Sequence, residues 1–270
     1  MHKLKSICAI TDLTVESDAC VAAAAKVAAL NGATLHLVNA QPEHLPFRDF
    51  IRMTFTPRRY ARQLAALMNE QIARTVAGLC PVTAEINVDA FSELLLQQIR
   101  DREADLVVVS RSVNAVITQV VIARAQAATI ILSRPLHLPL RRVVLPITTP
   151  ASHEDSISAA SDWVERLSGT TADGARSHEG IEFVKAAWRG PRSEHPAELI
   201  RRLVDGQDVD LLVVPLRRNY TGRLGTKLSA LNRAALATSQ AVVLFVPVAP
   251  HAGVNSARMA ALPSSNGKRP

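Results

Sequence analysis

Short apolar runs alternate with segments of helical spacing along the first half of the chain. Residues 5–11 form one such run, and residues 16–30 then carry Val and Ala at helical spacing up to Gly32. Residues 34–39 return to an apolar run. A strand, a helix and a second strand in this order are typical of parallel strands joined by a crossover helix. We therefore predict a β-α-β unit at the start of the chain.

The same alternation predicts further helices and strands up to residue 132. Pro57 suits the first turn of a long helix, and Asp89 is a good N-cap for the helix after it. Helices are predicted over residues 57–77, 90–102 and 114–126, and strands over residues 82–88, 105–109 and 129–132. The first half is thus expected to be an α/β unit.

The pattern of the first half starts again after residues 134–140, which contain prolines and are predicted to be a linker. Asp210–Val214 (DLLVV) repeats Asp105–Val109 (DLVVV), and the apolar run 242–246 repeats the run 129–132. A repeat of this kind, in the same order, indicates a tandem duplication.

The second half is shorter than the first. Besides the repeated runs, strands are predicted over residues 142–147 and 181–188, and helices over residues 153–167 and 196–204. Only residues 169–180 separate the first of these helices from the strand that follows it, whereas the first half has a strand and a long helix in that interval. These two elements are therefore predicted to be missing from the second half.

The predicted fold class is α/β, with two tandem parallel-sheet domains of which the second is truncated. The first domain is assigned to residues 1–138 and the second to residues 139–249. Residues 250–270 are small, polar and Pro-containing, which predicts a disordered tail. One parallel sheet is expected in each half, and a single continuous sheet would contradict this interpretation.

Composition and charge argue against several classes of function. Aromatic residues make up 4% of the chain, too few for the stacking platforms that bind single-stranded nucleic acid. The net charge of +7 is mild and spread along the chain, which favours solubility over nucleic-acid binding. Neither an apolar run of membrane-spanning length nor a signal peptide is found, so we expect a cytoplasmic protein with no membrane partner.

The cysteines and histidines show no spacing typical of a metal site. Cys8, Cys20 and Cys80 are odd in number and follow no C-x-x-C pattern, so they are predicted to be reduced thiols. P-loop, G-x-G-x-x-G and G-x-S-x-G motifs are also absent from the sequence. No catalytic residue and no metal is therefore assigned.

The order of elements resembles the universal stress protein family. The resemblance is carried by a first strand that ends in Asp12-x-Thr14, by the late strand Asp105–Val109 and by a short final strand, and it covers residues 3–133 and 141–247. It implies a Rossmann-like fold of the adenine nucleotide alpha hydrolase-like group. It also implies self-association through the final strands, so that two fused units would form an internal pseudo-dimer.

In nucleotide-binding members of that family, an Asp at the end of the first strand lies beside the ligand. A loop after the fourth strand carries Gly-x-x-Gly, nine residues and Gly-Ser/Thr, and such glycines let backbone N–H groups approach phosphate oxygens. Asp12 and Thr14 fit the first part of this pattern, with the second-strand carbonyls near Val38 beside them. Residues 110–128 contain no glycine and are too few for the loop and its helix.

The second half shows the opposite combination. Residues 215–240 have the length of the family's loop and helix, but the glycines are displaced, with Arg218 at a glycine position and Ser229 at the serine position. Thr148 stands where the first half has Asp12. The arginines of this loop are candidate ligands for a phosphate or carboxylate group, and a solvated basic loop is the alternative.

The candidate nucleotide-binding residues are therefore Asp12, Thr14, Val38, Arg218 and Ser229. Asp12 has two further interpretations. One is a cap at the start of a helix. The other is a phosphoacceptor of receiver type, which is disfavoured because the first strand carries no second acidic pair and no well-placed Lys follows the fifth strand.

The sequence favours a non-enzymatic stress-response or regulatory protein with weak or absent nucleotide binding and no cofactor. One alternative is a protein that binds ATP or ADP in the crevice beside Asp12. A second alternative is an enzyme of the wider hydrolase-like group that acts at the second-half loop, although no nucleophile–base pair can be named. The expected partners are other proteins or a second copy of the chain, and the dispersed charge argues against nucleic acid.

Overall fold

The computed structural model describes residues 3–39, 57–86, 92–147, 153–168, 181–187, 195–205, 208–217, 228–238 and 241–248. Nine strands and seven helices lie within these ranges, and they alternate along most of the chain. No helix in the described ranges is long and apolar enough to cross a membrane.

The elements of the first half match the predicted ones to within a few residues. The strands are β1 (Ser6–Thr11), β2 (Thr34–Asn39), β3 (Val82–Glu85), β4 (Leu106–Ser110) and β5 (Ala128–Leu132), and the helices are α1 (Val15–Asn31), α2 (Pro57–Thr75), α3 (Ser92–Asp101) and α4 (Ala115–Arg124). The predicted cap of α3, Asp89, lies outside the described residues. The prediction of an α/β unit is confirmed.

The second half repeats this alternation with fewer elements. The strands are β6 (Arg142–Ile147), β7 (Glu182–Ala187), β8 (Leu211–Arg217) and β9 (Val242–Val248), and the helices are α5 (His153–Ser168), α6 (Pro196–Val204) and α7 (Ala230–Thr238). Residues 169–180 and the predicted tail at 250–270 lie outside the described part of the chain. Within the described part, the second half has one strand and one helix fewer than the first.

Local sequence explains how the first unit forms. All six residues of β1 are buried, which fits a strand covered on both faces of a parallel sheet. The buried side of α1 includes four Ala residues, and such small side chains let the helix lie close to the sheet. Gly32 ends this helix in the left-handed conformation, with φ of 67°, because a residue without Cβ adopts that conformation at little cost.

The nine strands form one sheet in the order β3-β2-β1-β4-β5-β9-β8-β6-β7. Neighbouring strands within each half are parallel, whereas β5 and β9 pair antiparallel, with Ile130 opposite Leu244. The expectation of one separate sheet in each half is therefore wrong, because the final strands join the halves edge to edge. The described strand order of the second half still mirrors that of the first, which supports the proposed duplication.

The helices cover the sheet on two faces and create two apolar layers. One layer contains Val21 of α1, Met68 of α2 and Val164 of α5. The other layer is formed by the four remaining helices, with buried residues such as Leu96, Val121, Leu199 and Ala235. In the described residues of the second half, α5 corresponds to α1 but no helix corresponds to α2. This difference agrees with the predicted truncation.

Candidate functional site

The strand order creates a crevice between β1 and β4 in the first half. From β1 the chain passes into α1 on one face of the sheet, whereas from β4 it passes into α4 on the opposite face. At such a point the loops beyond two neighbouring strands diverge and leave space for a ligand. We call the space between residues 12–14 and residues 111–114 the β1–β4 crevice.

Asp12 lies in a tight turn at one side of this crevice. Its Oδ1 accepts two hydrogen bonds from Thr14, one from the main-chain N–H at 3.1 Å and one from the hydroxyl group at 2.6 Å. Between them, Leu13 has a φ of 61°, which the turn requires. The carboxylate of Asp12 thus orders the turn in front of α1, and Thr14 itself occupies the N-cap position without a side-chain cap bond.

A buried polar cluster lies directly below this turn, and the sequence analysis did not identify it. Thr11 donates its hydroxyl to Oε1 of Gln71 at 2.9 Å, accepts the N–H of Leu13 at 3.0 Å and lies 2.7 Å from the hydroxyl of Ser17. Gln71 in turn donates to Ser17 at 3.0 Å and to Asp18 at 2.8 Å. Thr11, Ser17 and Gln71 are almost completely buried. We call Thr11, Ser17, Asp18, Gln71 and Arg74 the Thr11 cluster.

The Thr11 cluster ends in an ion pair near the surface. Arg74 donates from Nε and Nη2 to the two carboxylate oxygens of Asp18, at 2.7 and 2.9 Å. This pairing, helped by the bond from Gln71, holds the pKa of Asp18 below its ordinary value. The cluster thereby fastens β1 and α1 to α2. Its sequence signal is Gln71 itself, a polar residue at helical spacing from the buried Leu64 and Met68.

Val38 lies in β2, which pairs with the strand that leads into the Asp12 turn. It is buried, and in the sheet it is level with Ile10 on one side and Glu85 on the other. The register places Asn39 level with Thr11, so Asp12 begins one step beyond the end of β2. The structure therefore brings Asp12, Thr14 and Val38 to one edge of the sheet.

The loop after β4 is short and bonded to itself. The hydroxyls of Ser110 and Ser112 lie 2.8 Å apart, and Ser110 Oγ also accepts the N–H of Ser112 at 3.3 Å. Asn114 then caps α4, because its Oδ1 accepts the N–H of Val116 at 2.8 Å. The N-terminus of α4 is thus already supplied with an acceptor from its own chain.

Among the second-half candidates, Ser229 lies within the described residues. Arg218 and Thr148 are outside the described residues. Ser229 is the N-cap of α7, since its Oγ accepts the N–H of Asn232 at 3.1 Å and its carbonyl accepts the N–H of Arg233 at 3.0 Å. The hydroxyl of Ser229 is therefore engaged as a helix cap.

The described residues contain no metal-binding group and no exposed reactive thiol. They show no set of three His, Cys, Asp or Glu residues that could hold a metal ion. Cys8 and Cys20 are fully buried, and burial raises the pKa of both thiols, that of Cys8 to about 12. Such thiols are protonated and inert near neutral pH.

A cavity of about 370 Å³ lies at the opposite, amino-end edge of the first-half sheet. It is lined by the end of α3 and the turn before β5, including Arg100, Glu103 and Gln126. These three side chains are exposed. The cavity lies far along the strands from Asp12, and it does not include any of the candidate residues.

The fold is shared with known structures of low sequence identity. A universal stress protein from Archaeoglobus fulgidus DSM 4304 has a TM-score of 0.56 and 10% identity, and the match covers 91% of this chain and 97% of that one. A functionally unknown protein from Pseudomonas aeruginosa PAO1 has a TM-score of 0.51 and 14% identity, with coverage of 91% and 93%. No curated protein matches the sequence.

The sequence itself matches the profile of the Universal stress protein family over residues 3–125. This match spans the first half from β1 to the end of α4, including the turn with Asp12 and the loop before Asn114. Together with the parallel first-half sheet and its crevice, it agrees with the resemblance found from the order of the elements. Residues 3–125 are therefore similar in sequence to the universal stress protein family, and the fold is one that universal stress proteins also have.

Proposed function

We propose that this protein is a non-enzymatic regulator of the stress response and that it is built as an internal pseudo-dimer. The crevice in its first half does not bind nucleotide phosphates. The observation that carries the proposal is the Asn114 cap. The side chain of Asn114 accepts the N–H of Val116, so part of the helix terminus that would bind a phosphate is already occupied.

The loop before α4 also lacks the flexible backbone that a phosphate site needs. Arg111, Ser112 and Val113 all carry a Cβ, so their N–H groups cannot approach a phosphate as glycine N–H groups do. The N–H of Arg111 is bonded to the carbonyl of Leu132 at 2.9 Å, and that of Val113 to the carbonyl of Ser110 at 3.1 Å. These N–H groups already have acceptors inside the protein.

The pseudo-dimer part of the proposal is supported by the pairing of β5 with β9. Each of these strands is the last of its half, and each would be an open edge if its half stood alone. Helices α1 and α5 also contact each other across the junction, where Asn31 Nδ2 donates to the carbonyl of Arg166 at 2.8 Å. These contacts support self-association of the final strands within the chain.

The proposal that the protein is not an enzyme is supported by the polar groups at the crevice, which form hydrogen bonds with their own neighbours in the chain. Thr14 and Asp12 form a hydroxyl–carboxylate pair, but the same carboxylate oxygen accepts the main-chain N–H of Thr14. Ser110 and Ser112 bond to each other. In the described residues, no third group orients either pair as a base–nucleophile system requires.

A second candidate function, the binding of ATP or ADP beside Asp12, is favoured by one observation. Both bonds that Asp12 accepts use Oδ1, which leaves Oδ2 outside every bond described for this residue. That oxygen is available to an adenosine amino or hydroxyl group near the end of β2. Recognition of this kind would use the nucleoside and leave the phosphates in solvent.

Thermal melting of the full chain with adenosine, ADP and ATP at millimolar concentration distinguishes the two candidates. We expect no shift of Tm with any of the three. A ligand present at 100 times its Kd would instead stabilise the native state by about 2.7 kcal/mol, which is a shift of several degrees.

The variants Asp12→Asn and Glu16→Gln complete this experiment. Each removes one negative charge near the crevice, but Glu16 is an exposed residue in the first turn of α1. A shift with ATP that is lost in Asp12→Asn and kept in Glu16→Gln would overturn the leading proposal in favour of the second. Incubation with labelled ATP, followed by a search for product, tests the non-enzymatic part separately.

A further inference from the structure

Helix α7 is attached at its two ends to opposite halves of the protein. Its N-terminus is capped by Ser229 of the second half, whose Oγ accepts the N–H of Asn232. Its C-terminus is held by Arg111 of the first half, because Nη2 of Arg111 donates to the carbonyls of Leu236 and Ala237, both at 3.1 Å. A cation at this position also interacts favourably with the helix dipole.

The contact at Arg111 belongs to a compact corner of the junction. The main-chain N–H of Arg111 donates to Leu132 at the end of β5, and Ser133 Oγ donates to the carbonyl of Ala241 at 3.0 Å. The antiparallel pairing of β5 with β9 creates this corner, since it brings the carboxyl end of one half beside the amino end of the other. The loop 111–114 of the β1–β4 crevice therefore contacts the end of α7.

The body of α7 is suited to transmit a displacement. The helix has nine residues, so it is roughly 13 Å long. Leu231 and Ala235 lie in the apolar layer that also contains Leu199 and Leu203 of α6. A packed helix with one buried side moves as a unit more readily than it bends, because protein interiors are close-packed.

We propose that α7 couples the carboxyl-end edge of the second half to the first-half loop 111–114, with Arg111 as the residue that transmits the coupling. Loosening α7 at Ser229 releases its terminal carbonyls from Arg111 and so loosens the crevice loop more than 100 residues earlier in the chain. This coupling requires no nucleotide, so its test is independent of the melting experiment.

Hydrogen exchange of the full chain, followed by mass spectrometry, tests the proposal with a double-mutant cycle of Ser229→Ala and Arg111→Gln. Loss of the cap in Ser229→Ala is expected to raise exchange in α7 about fivefold. When Ser229→Ala is the only substitution and Arg111 is intact, peptides that cover residues 111–114 should also exchange faster than in the wild type, by a similar factor. In the Arg111→Gln background, Ser229→Ala should still speed exchange in α7 but have no further effect on that loop.

Two further variants make the result specific. Arg233→Gln removes the charge of an exposed arginine from α7 itself and should leave the coupling intact. Arg111→Lys retains the charge and a donor and should restore part of the coupling. An equal response of the loop with and without Arg111, or no response of the loop while α7 loosens, would overturn the proposal. Unchanged exchange in α7 of Ser229→Ala would overturn it as well.

Discussion

Asp105 and Asp210 hold the first strand of their respective halves by the same set of hydrogen bonds. Oδ2 of Asp105 accepts the N–H of Ser6 at 3.1 Å and that of the residue before it at 2.6 Å. Oδ2 of Asp210 accepts the N–H of Arg142 at 2.9 Å and that of the residue before it at 2.7 Å. The aspartate of the repeated D-L-V/L-V-V sequence thus holds the start of the first strand in both halves, and its repetition supports the duplication.

Removal of either aspartate should destabilise the whole protein by a similar amount. We expect Asp105→Ala and Asp210→Ala each to lower the free energy of unfolding by about 2 kcal/mol, because two N–H groups lose a charged acceptor. Both variants should shift one shared transition in urea, since the nine strands form one sheet. Asp208→Ala, which changes an exposed neighbour, is the control. Two separate transitions would contradict this expectation.

The same substitution should have opposite effects at two buried threonines. Thr11 and Thr129 are both fully buried, but Thr11 bonds to Gln71, whereas the hydroxyl of Thr129 has no partner in the described part of the chain. Thr11→Val should lower the free energy of unfolding by about 1–3 kcal/mol, because Gln71 loses its donor. Thr129→Val should raise it by up to about 1 kcal/mol. Urea titrations of both variants measure the difference, and equal signs would refute the assigned network.

The Asp18–Arg74 ion pair should make stability dependent on pH in the acid range. The pKa of Asp18 is lowered from 3.8 in the folded state, so the unfolded chain binds a proton more readily. The stabilisation from Asp18 is therefore complete above about pH 5 and decreases as the pH falls through 3.8 towards the lowered pKa.

Comparison of the wild type with Asp18→Asn isolates this contribution. The variant has no carboxylate at this position, so its stability should depend less on pH below about pH 4. Urea midpoints measured at several pH values provide the two slopes. Arg74→Gln should likewise make stability depend less on pH in this range, because it removes the group that lowers the pKa of Asp18. Parallel profiles of wild type and Asp18→Asn would show that the ion pair does not govern acid stability.

The three cysteines should differ in their reactivity towards a thiol reagent. Burial raises the pKa of all three thiols, that of Cys8 to about 12, but Cys80 is only half-buried whereas Cys8 and Cys20 are fully buried. With Ellman's reagent at pH 8, we expect slow reaction of Cys80 in the native protein and reaction of the other two only on unfolding. Cys80→Ser should leave native protein unreactive. Rapid reaction of that variant would place Cys8 or Cys20 at the surface.

The candidate site was predictable where it depends on residues close together in the sequence. Asp12 and Thr14 follow an apolar run and precede a helix, so their place at the edge of β1 could be inferred from the chain alone. The small number of residues between β4 and β5 likewise predicted a short loop, and residues 111–114 form one. In contrast, the Thr11 cluster joins Ser17 to Gln71 across 54 positions, and no local pattern links them.

The amino-acid sequence alone determined the strands, the helices other than α7 and their order, because each depends on the periodicity of neighbouring side chains and on residues such as Gly32. The family resemblance implies that the final strands associate, but only the tertiary structure shows that β5 and β9 pair antiparallel and join the halves into one sheet. The bonds of that pairing are formed by main-chain groups, which every strand edge offers equally. For the same reason, the sequence does not predict the contact of Arg111 with α7, since the acceptors of Arg111 are main-chain carbonyls and not side chains.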